Sequence, residues 1–218
     1  MTFDEIQCEQ RSPEWFASRA GRLTSSNVDA IFMQGRSKGS ESVTKRDLRI
    51  RLALESIAGQ SLDGDAYRSA EMQYGAELEP EARLVYEAET GALVREVGFL
   101  SCRELPIGCS PDGVIGEFFG GAEFKCPKSS THLQYLRDPK VPEDYLPQLR
   151  HHLLVSGAQW WDFVSYDKRM PDGLQLVIRR LWATDAQLDA HELAVRVFCG
   201  EVVKEVAAIN ALRPMVAA

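Results

Sequence analysis

The chain has 218 residues, 44% hydrophobic and 26% charged, with a formal net charge of −7 at pH 7. That is the composition of a soluble globular protein with one substantial core, and the acidic balance argues against a general nucleic-acid coat while leaving room for a local basic groove. No apolar run approaches the ~20 residues that span a bilayer, the N-terminus lacks the pattern of a signal peptide, and Cys8, Cys102, Cys109, Cys126 and Cys199 form no Cys-x-x-Cys pair, so a cytoplasmic protein with free thiols is expected.

In chain order, Ser12-Pro13-Glu14-Trp15 combines a capping serine with proline at the first helical position and predicts a helix carrying Trp15, Phe16 and Arg19. Thr24, Ser25 and Ser26 offer capping hydroxyls for a second helix through Ile31 and Phe32, whose N-terminus would be a natural anion site flanked by Arg19 and Ser26. Residues 35–51 are locally basic, with Arg36, Lys38, Lys45, Arg46, Arg49 and Arg51 set against Glu41 and Asp47. A solvated helix face is the usual meaning of such a run; contact with a nucleic-acid backbone is the alternative. Thr44-x-x-Asp47 resembles a capping box opening a helix through Ile57. A long helix is predicted from Tyr67 to Thr90, with a kink or restart at Glu79-Pro80 because proline inside a helix costs about 3 kcal/mol.

Residues 93–102 read as a strand. Asp112, at a Pro-Asp-Gly turn, leads into Val114 and Ile115, and a Gly-Gly turn at Gly120 and Gly121 starts a second strand, so the two form a hairpin. Alternation along that second strand puts Glu123 and Lys125 on one face and Phe124 in the core. Helices follow over 129–137 and 142–156. In the latter, the adjacent His151 and His152 point in different directions and read as packing or surface residues. Trp160–Tyr166 and Leu174–Trp182 make a second hairpin, and Thr184-Asp185-x-Gln187 caps a long helix through Leu212. The expected fold is one mixed α/β (α+β) domain over 1–218, with a central mixed sheet of about five strands flanked by helices.

Asp112, Glu123 and Lys125 converge on this hairpin. Close carboxylates repel unless a cation holds them, and hard oxygen ligands suit magnesium or manganese rather than zinc. A lysine beside such a metal can orient or help deprotonate a water.

The Asp, then Glu-x-Lys arrangement resembles the restriction-endonuclease-like nucleases. Ser110-Pro111-Asp112-Gly113 with Glu123-Phe124-Lys125-Cys126-Pro127 resembles more narrowly the phage lambda exonuclease or YqaJ-type viral recombinase family. Trp15-x-x-x-Arg19-x-Gly21-x-x-Thr24-x-Ser26 is similar to the family's N-terminal motif, 75–83 to its helix bearing a metal-site glutamate, and Tyr145-Leu146-Pro147-Gln148-Leu149 to the motif beside its catalytic cluster.

The resemblance, in the same motif order along nearly the whole chain, implies a two-metal DNA exonuclease with a restriction-endonuclease-like core. Two magnesium ions, replaceable by manganese, would be held by Asp112 as the bridging ligand with Glu79, Glu123 and the Phe124 carbonyl. Glu77 and Glu81 would be decoys for Glu79. Lys125 would orient the water, Gln148 would complete the catalytic group, and Arg19, Ser26 and Ser110 would take a 5′-phosphate. Met72 aligns with an apolar wedge that splits the terminal base pair. Thr131 stands where the phage enzyme has a phosphate-holding arginine, a role Lys128 would have to fill. The implied activity is 5′→3′ degradation of one strand of linear duplex DNA to mononucleotides, leaving a 3′ single strand. The implied partners are two further copies in a homotrimeric ring and a single-strand annealing protein, in a bacterial host cell carrying a phage or prophage. An endonuclease of the same fold and a non-catalytic DNA-binding assembly module are the alternatives.

Overall fold

A computed structural model describes residues 1–37, 39–62 and 70–213, with side chains except at 70–72. The elements are β1 (Phe3–Ile6), α1 (Pro13–Arg19), β2 (Leu23–Thr24), a 3₁₀ turn (Val28–Phe32), α2 (Val43–Ala58), α3 (Ala70–Thr90), β3 (Val94–Arg95), β4 (Phe99–Cys102), β5 (Ile107–Cys109), β6 (Gly113–Ile115) and β7 (Gly120–Lys125). They continue with α4 (Ser129–Arg137), a 3₁₀ turn (Glu143–Tyr145), α5 (Leu146–Ser156), β8 (Trp160–Tyr166), β9 (Leu176–Leu181) and α6 (Asp185–Ala211).

The expected mixed five-stranded sheet is present, in the order β3-β6-β7-β8-β9. β6 and β7 form the antiparallel hairpin, with Gly113 opposite Ala122, and β8 and β9 form the second. β7 and β8 run parallel and are therefore joined by a crossover, made here of α4 and α5. Alternation decides which helix covers which face. Ala122, Phe124, Val164 and Tyr166 pack with Ala82 and Tyr86 of α3, whereas Trp161 and Phe163 pack with Leu149 and Leu153 of α5. Glu123 and Lys125 therefore face α5.

A second sheet, β1-β4-β5-β2, was not expected. Two of its strands are short: β2 has two residues and β5 three, too few for alternation to register. The predicted strand over 93–102 divides between the two sheets as β3 and β4. Gly98 lies between them, where a Cβ would sit 2.5 Å from the Cys8 carbonyl oxygen. Leu100, Ile107 and Cys109 of this sheet pack with Leu52 of α2, Leu154 and Val155 of α5, and Val195 and Phe198 of α6. Helix α5 is thus enclosed between two cores, which explains why all eight side chains over 149–156 except Arg150 are buried.

Other local expectations change. The second N-terminal helix is the 3₁₀ turn beginning after Asn27, and Thr24 belongs to β2, its N–H bonded to Asn27 Oδ1 at 2.9 Å. Helix α2 is capped by Ser42, whose Oγ accepts from the Lys45 N–H at 3.1 Å, and not by Thr44. Helix α3 runs through Pro80 without a break; the ring is exposed, and what is lost is the N–H that would have bonded the Ala76 carbonyl. Gly120 and Gly121 are strand residues, not the turn. Their parallel partners are Trp160 and Trp161, whose rings would lie 2.3 and 2.4 Å from an added Cβ. All five cysteines are free. Among the described residues no helix is long and apolar enough to cross a membrane.

Candidate active site

Asp112 immediately precedes β6, and its Oδ2 accepts from the Phe124 N–H of β7 at 2.7 Å. This bond sets the Asp112 carboxylate against the strand that carries the next acid. Glu123 is buried beneath α5. Its Oε1 accepts from Lys125 Nζ and from Gln148 Nε2, both at 2.5 Å, and its Oε2 lies 3.0 Å from His152 Nε2. Gln148 and His152, four residues apart, share one face of α5. Tyr145 sits just before them, with Lys125 Nζ 5.5 Å from its ring centre. His152 stacks on Trp161 with ring centres 4.6 Å apart. The expectation that His151 and His152 are packing or surface residues holds only as to packing: both are fully buried, and His152 is a site residue that the sequence reading missed. The i, i+4 spacing from Gln148 was its one available signal.

The electrostatics separate the three carboxylates. Burial raises the pKa of Asp112 well above the usual carboxylate range, and Glu123 and Glu79 push it further. Glu79 is raised by burial and by Glu123, with Arg11, Lys125 and Arg83 opposing. Burial acts on Glu123 too, but there it is outweighed by Lys125 and His152, and the carboxyl is drawn down to about 2. Burial would lower Lys125, yet Glu123 and Asp112 hold it above its ordinary value. The one lysine is matched to Glu123, and among the described residues no side-chain cation is bonded to Asp112 or Glu79. Such a site favours a hard cation. Among the described residues, no three of His, Cys, Asp and Glu are already gathered into a metal-binding group, for Glu123 turns both oxygens to Lys125, Gln148 and His152.

A second cluster adjoins the carboxylates. Ser12 caps α1 through the Trp15 N–H at 3.2 Å, and the helix then presents Trp15 and Arg19 on one side. Arg19 Nη2 donates to Ser26 Oγ at 3.0 Å and to Thr24 Oγ1 at 3.3 Å, with its guanidinium 4.0 Å from the Trp15 ring centre. The indole Nε1–H of Trp15 donates to Ser110 Oγ at 2.7 Å. Trp15 therefore ties the arginine–serine pair to the residue two before Asp112.

Arg19, Ser26, Ser110, Asp112, Glu123, Lys125 and Gln148 line one cleft of about 560 Å³. Glu79 lines an adjoining compartment of about 500 Å³ that also reaches Asp112. Of the neighbouring acids, Glu77 lines the main cleft, whereas Glu81 is turned away to Tyr166 Oη at 2.8 Å and Lys168 Nζ at 3.2 Å. The Phe124 side chain is in the core, as expected. The Met72 side chain lies outside the described residues.

A mixed sheet with an aspartate at the start of one hairpin strand, Glu-x-Lys on the next, and an acid-bearing helix over the same cleft defines the restriction-endonuclease-like class. Within it, the chain belongs to the YqaJ-like viral recombinase domain family, whose model matches residues 14–159. The crystal structure of an alkaline exonuclease (LHK-Exo) from Laribacter hongkongensis is similar at 33% identity and a TM-score of 0.81, covering 92% of this chain and 97% of that one. A structure of LHK-Exo in complex with dAMP matches to the same degree. A phage-related exonuclease from Haemophilus somnus 129PT shares the fold, with 13% identity, a TM-score of 0.61 and coverage of 86% and 96%. No curated protein matches the chain.

Proposed function

We propose that this protein is a metal-dependent 5′→3′ exodeoxyribonuclease that degrades one strand of linear duplex DNA to mononucleotides and leaves a 3′ single strand for recombination by annealing. The observation that carries this is the single cleft in which Asp112, Glu123, Lys125 and Gln148 adjoin the Arg19–Ser26–Ser110 cluster. A site that cuts one nucleotide from an end needs both a place for the terminal phosphate and a centre of hydrolysis beside it. The relation to an alkaline exonuclease, solved also with dAMP, supports the same reading.

Magnesium, or manganese in its place, would be held by Asp112, Glu79, Glu123 and the Phe124 carbonyl, and would supply Lewis acidity and an activated water. The rest falls to the chain. Arg19, with Ser26 and Ser110 beside it, offers charge-assisted hydrogen bonds to the 5′-phosphate, and the Trp15 contacts keep that cluster in step with Asp112. The Lys125 ammonium, held in place by Glu123, orients the attacking water and offsets negative charge building on the phosphate. Gln148 and His152 fix the Glu123 carboxylate, so that its orientation does not have to be found during the reaction. A homotrimeric ring enclosing DNA, a single-strand annealing partner and action in the cytoplasm of a phage-bearing bacterium complete the proposal. Sedimentation at the mass of three chains supports the ring, and at the mass of one counts against it.

The test uses 5′-phosphorylated linear duplex beside closed circular DNA, with magnesium or with chelator. Wild type is expected to release mononucleotides from the linear duplex with magnesium alone, and Lys125→Ala to lose about 10²–10⁴-fold in rate. Cutting of the closed circle would indicate an endonuclease. Binding without cutting in any metal would indicate the non-catalytic module. Equal rates for wild type and variant would remove Lys125 from the mechanism.

A further inference from the structure

The geometry points to Arg11 as a further substrate-binding residue, whose guanidinium takes the backbone phosphate on the 3′ side of the cut; the inference rests on the proposed exonuclease function. Arg11 has φ of +74°, a left-handed conformation that residues other than glycine rarely hold. Its neighbours enforce it. The Gln10 side-chain amide donates to the carbonyls of Val97 and Pro111, each at 3.1 Å, and the Ser12 N–H closes a turn onto the Glu9 carbonyl at 3.1 Å. Because Pro111 precedes Asp112, the turn that projects Arg11 is fastened to the backbone of the central carboxylate.

The position matters for the path of a strand. Arg11 lines both the main cleft and the adjoining compartment, and these meet at Asp112. The main cleft holds Arg19 and Ser26, and the adjoining compartment has neither. A strand with its terminal phosphate at Arg19 and its scissile phosphate at Asp112 therefore brings its next phosphate toward Arg11.

The other cations here already have partners: Arg19 is bonded to Ser26 and Thr24, Lys125 to Glu123, and Arg83 to Glu96. Arg11 makes no hydrogen bond or ion pair with any described residue, so its donors remain for a ligand. It is near enough to Glu79 to pull that carboxyl down, which raises the rival role of counter-ion alone.

The experiment compares wild type, Arg11→Gly and Arg11→Lys on 5′-phosphorylated duplex, unmodified or carrying one uncharged methylphosphonate at the second internucleotide linkage. Glycine suits φ of +74°, so Arg11→Gly should melt no lower than wild type while its KM for the unmodified duplex rises about ten-fold. The methylphosphonate should raise the wild-type KM to the same extent, the two changes together should cost no more than either alone, and Arg11→Lys should recover most of the loss. Multiplying losses, an unchanged KM in Arg11→Gly or a lowered melting temperature would overturn the contact while leaving the exonuclease intact. A wild type inert on linear duplex would overturn both.

Discussion

Three donors converge on the two oxygens of Glu123, while Asp112, the acid beside it, receives one backbone N–H. That inequality accounts for the opposite displacement of their pKa values. Burial acts on both, but the lysine and histidine stand at Glu123, and Asp112 meets the charges of Glu123 and Glu79. For an acid whose folded pKa is raised, ionisation disfavours the fold, so without metal a charge on Asp112 costs stability once pH rises above the usual carboxylate range. Asp112→Asn keeps an acceptor for the Phe124 N–H and removes that charge. In chelator it should melt above wild type, by about 2–4 °C for each kcal/mol recovered, and the rise in melting temperature that magnesium gives wild type should vanish. Calorimetry with and without magnesium checks both, and an Asn variant that melts below wild type in chelator would contradict the charge argument.

Helix α3 brings Glu79 to the compartment beside the cleft, and its attachment to the sheet is partly polar. Asp162 of β8 is fully buried, its two oxygens accepting from Arg180 of β9 at 2.8 Å each, and its Oδ2 also from Tyr86 Oη of α3 at 2.8 Å. Arg180 lies 3.5 Å from the Trp160 ring centre, so the network joins the β8–β9 hairpin to the helix. Asp162→Ala would leave Tyr86 and Arg180 without their acceptor. The loss should be about 2–3 kcal/mol, below the range for a fully enclosed pair, because the Arg180 side chain keeps 40% of its exposure. Urea unfolding measures it. Since the loosened helix is the one bearing Glu79, nuclease activity should fall along with stability, and a loss of stability alone would show that α3 is held well enough by Ala82 and Tyr86 packing.

Across the whole molecule, α5 lies between two cores and carries a histidine toward each. His152 reaches the site, whereas His151 Nδ1 meets His191 Nε2 of α6 at 3.3 Å. Burial holds His151 well below the usual histidine range and His191 down to about 4. The unfolded chain binds a proton at each near pH 6.5, and the folded chain does so only at lower pH. Their neutrality therefore carries no penalty above pH 6.5, and stability is lost as pH falls from there toward 4, by about 3 kcal/mol for His191. Unfolding free energies measured between pH 7 and 4 should show this slope, and His191→Leu should flatten it. A slope unchanged in that variant would assign the acid sensitivity elsewhere.

The sequence by itself determined the hairpin carrying Asp112, Glu123 and Lys125, the capping of α1 and α6, the five-stranded sheet and the family, because each rests on local periodicity or on residue types at short fixed spacing. Tertiary structure decided what depends on distant segments meeting. The second sheet is assembled from strands too short to show a period, His152 becomes a partner of Glu123 only once α5 is buried against β7, and Glu79 is distinguished from Glu81 only by the way α3 turns over the sheet. Arg11 belongs to the same group: its left-handed backbone is imposed by carbonyls at Val97 and Pro111, far along the chain, and nothing local to Gln10-Arg11-Ser12 announces it.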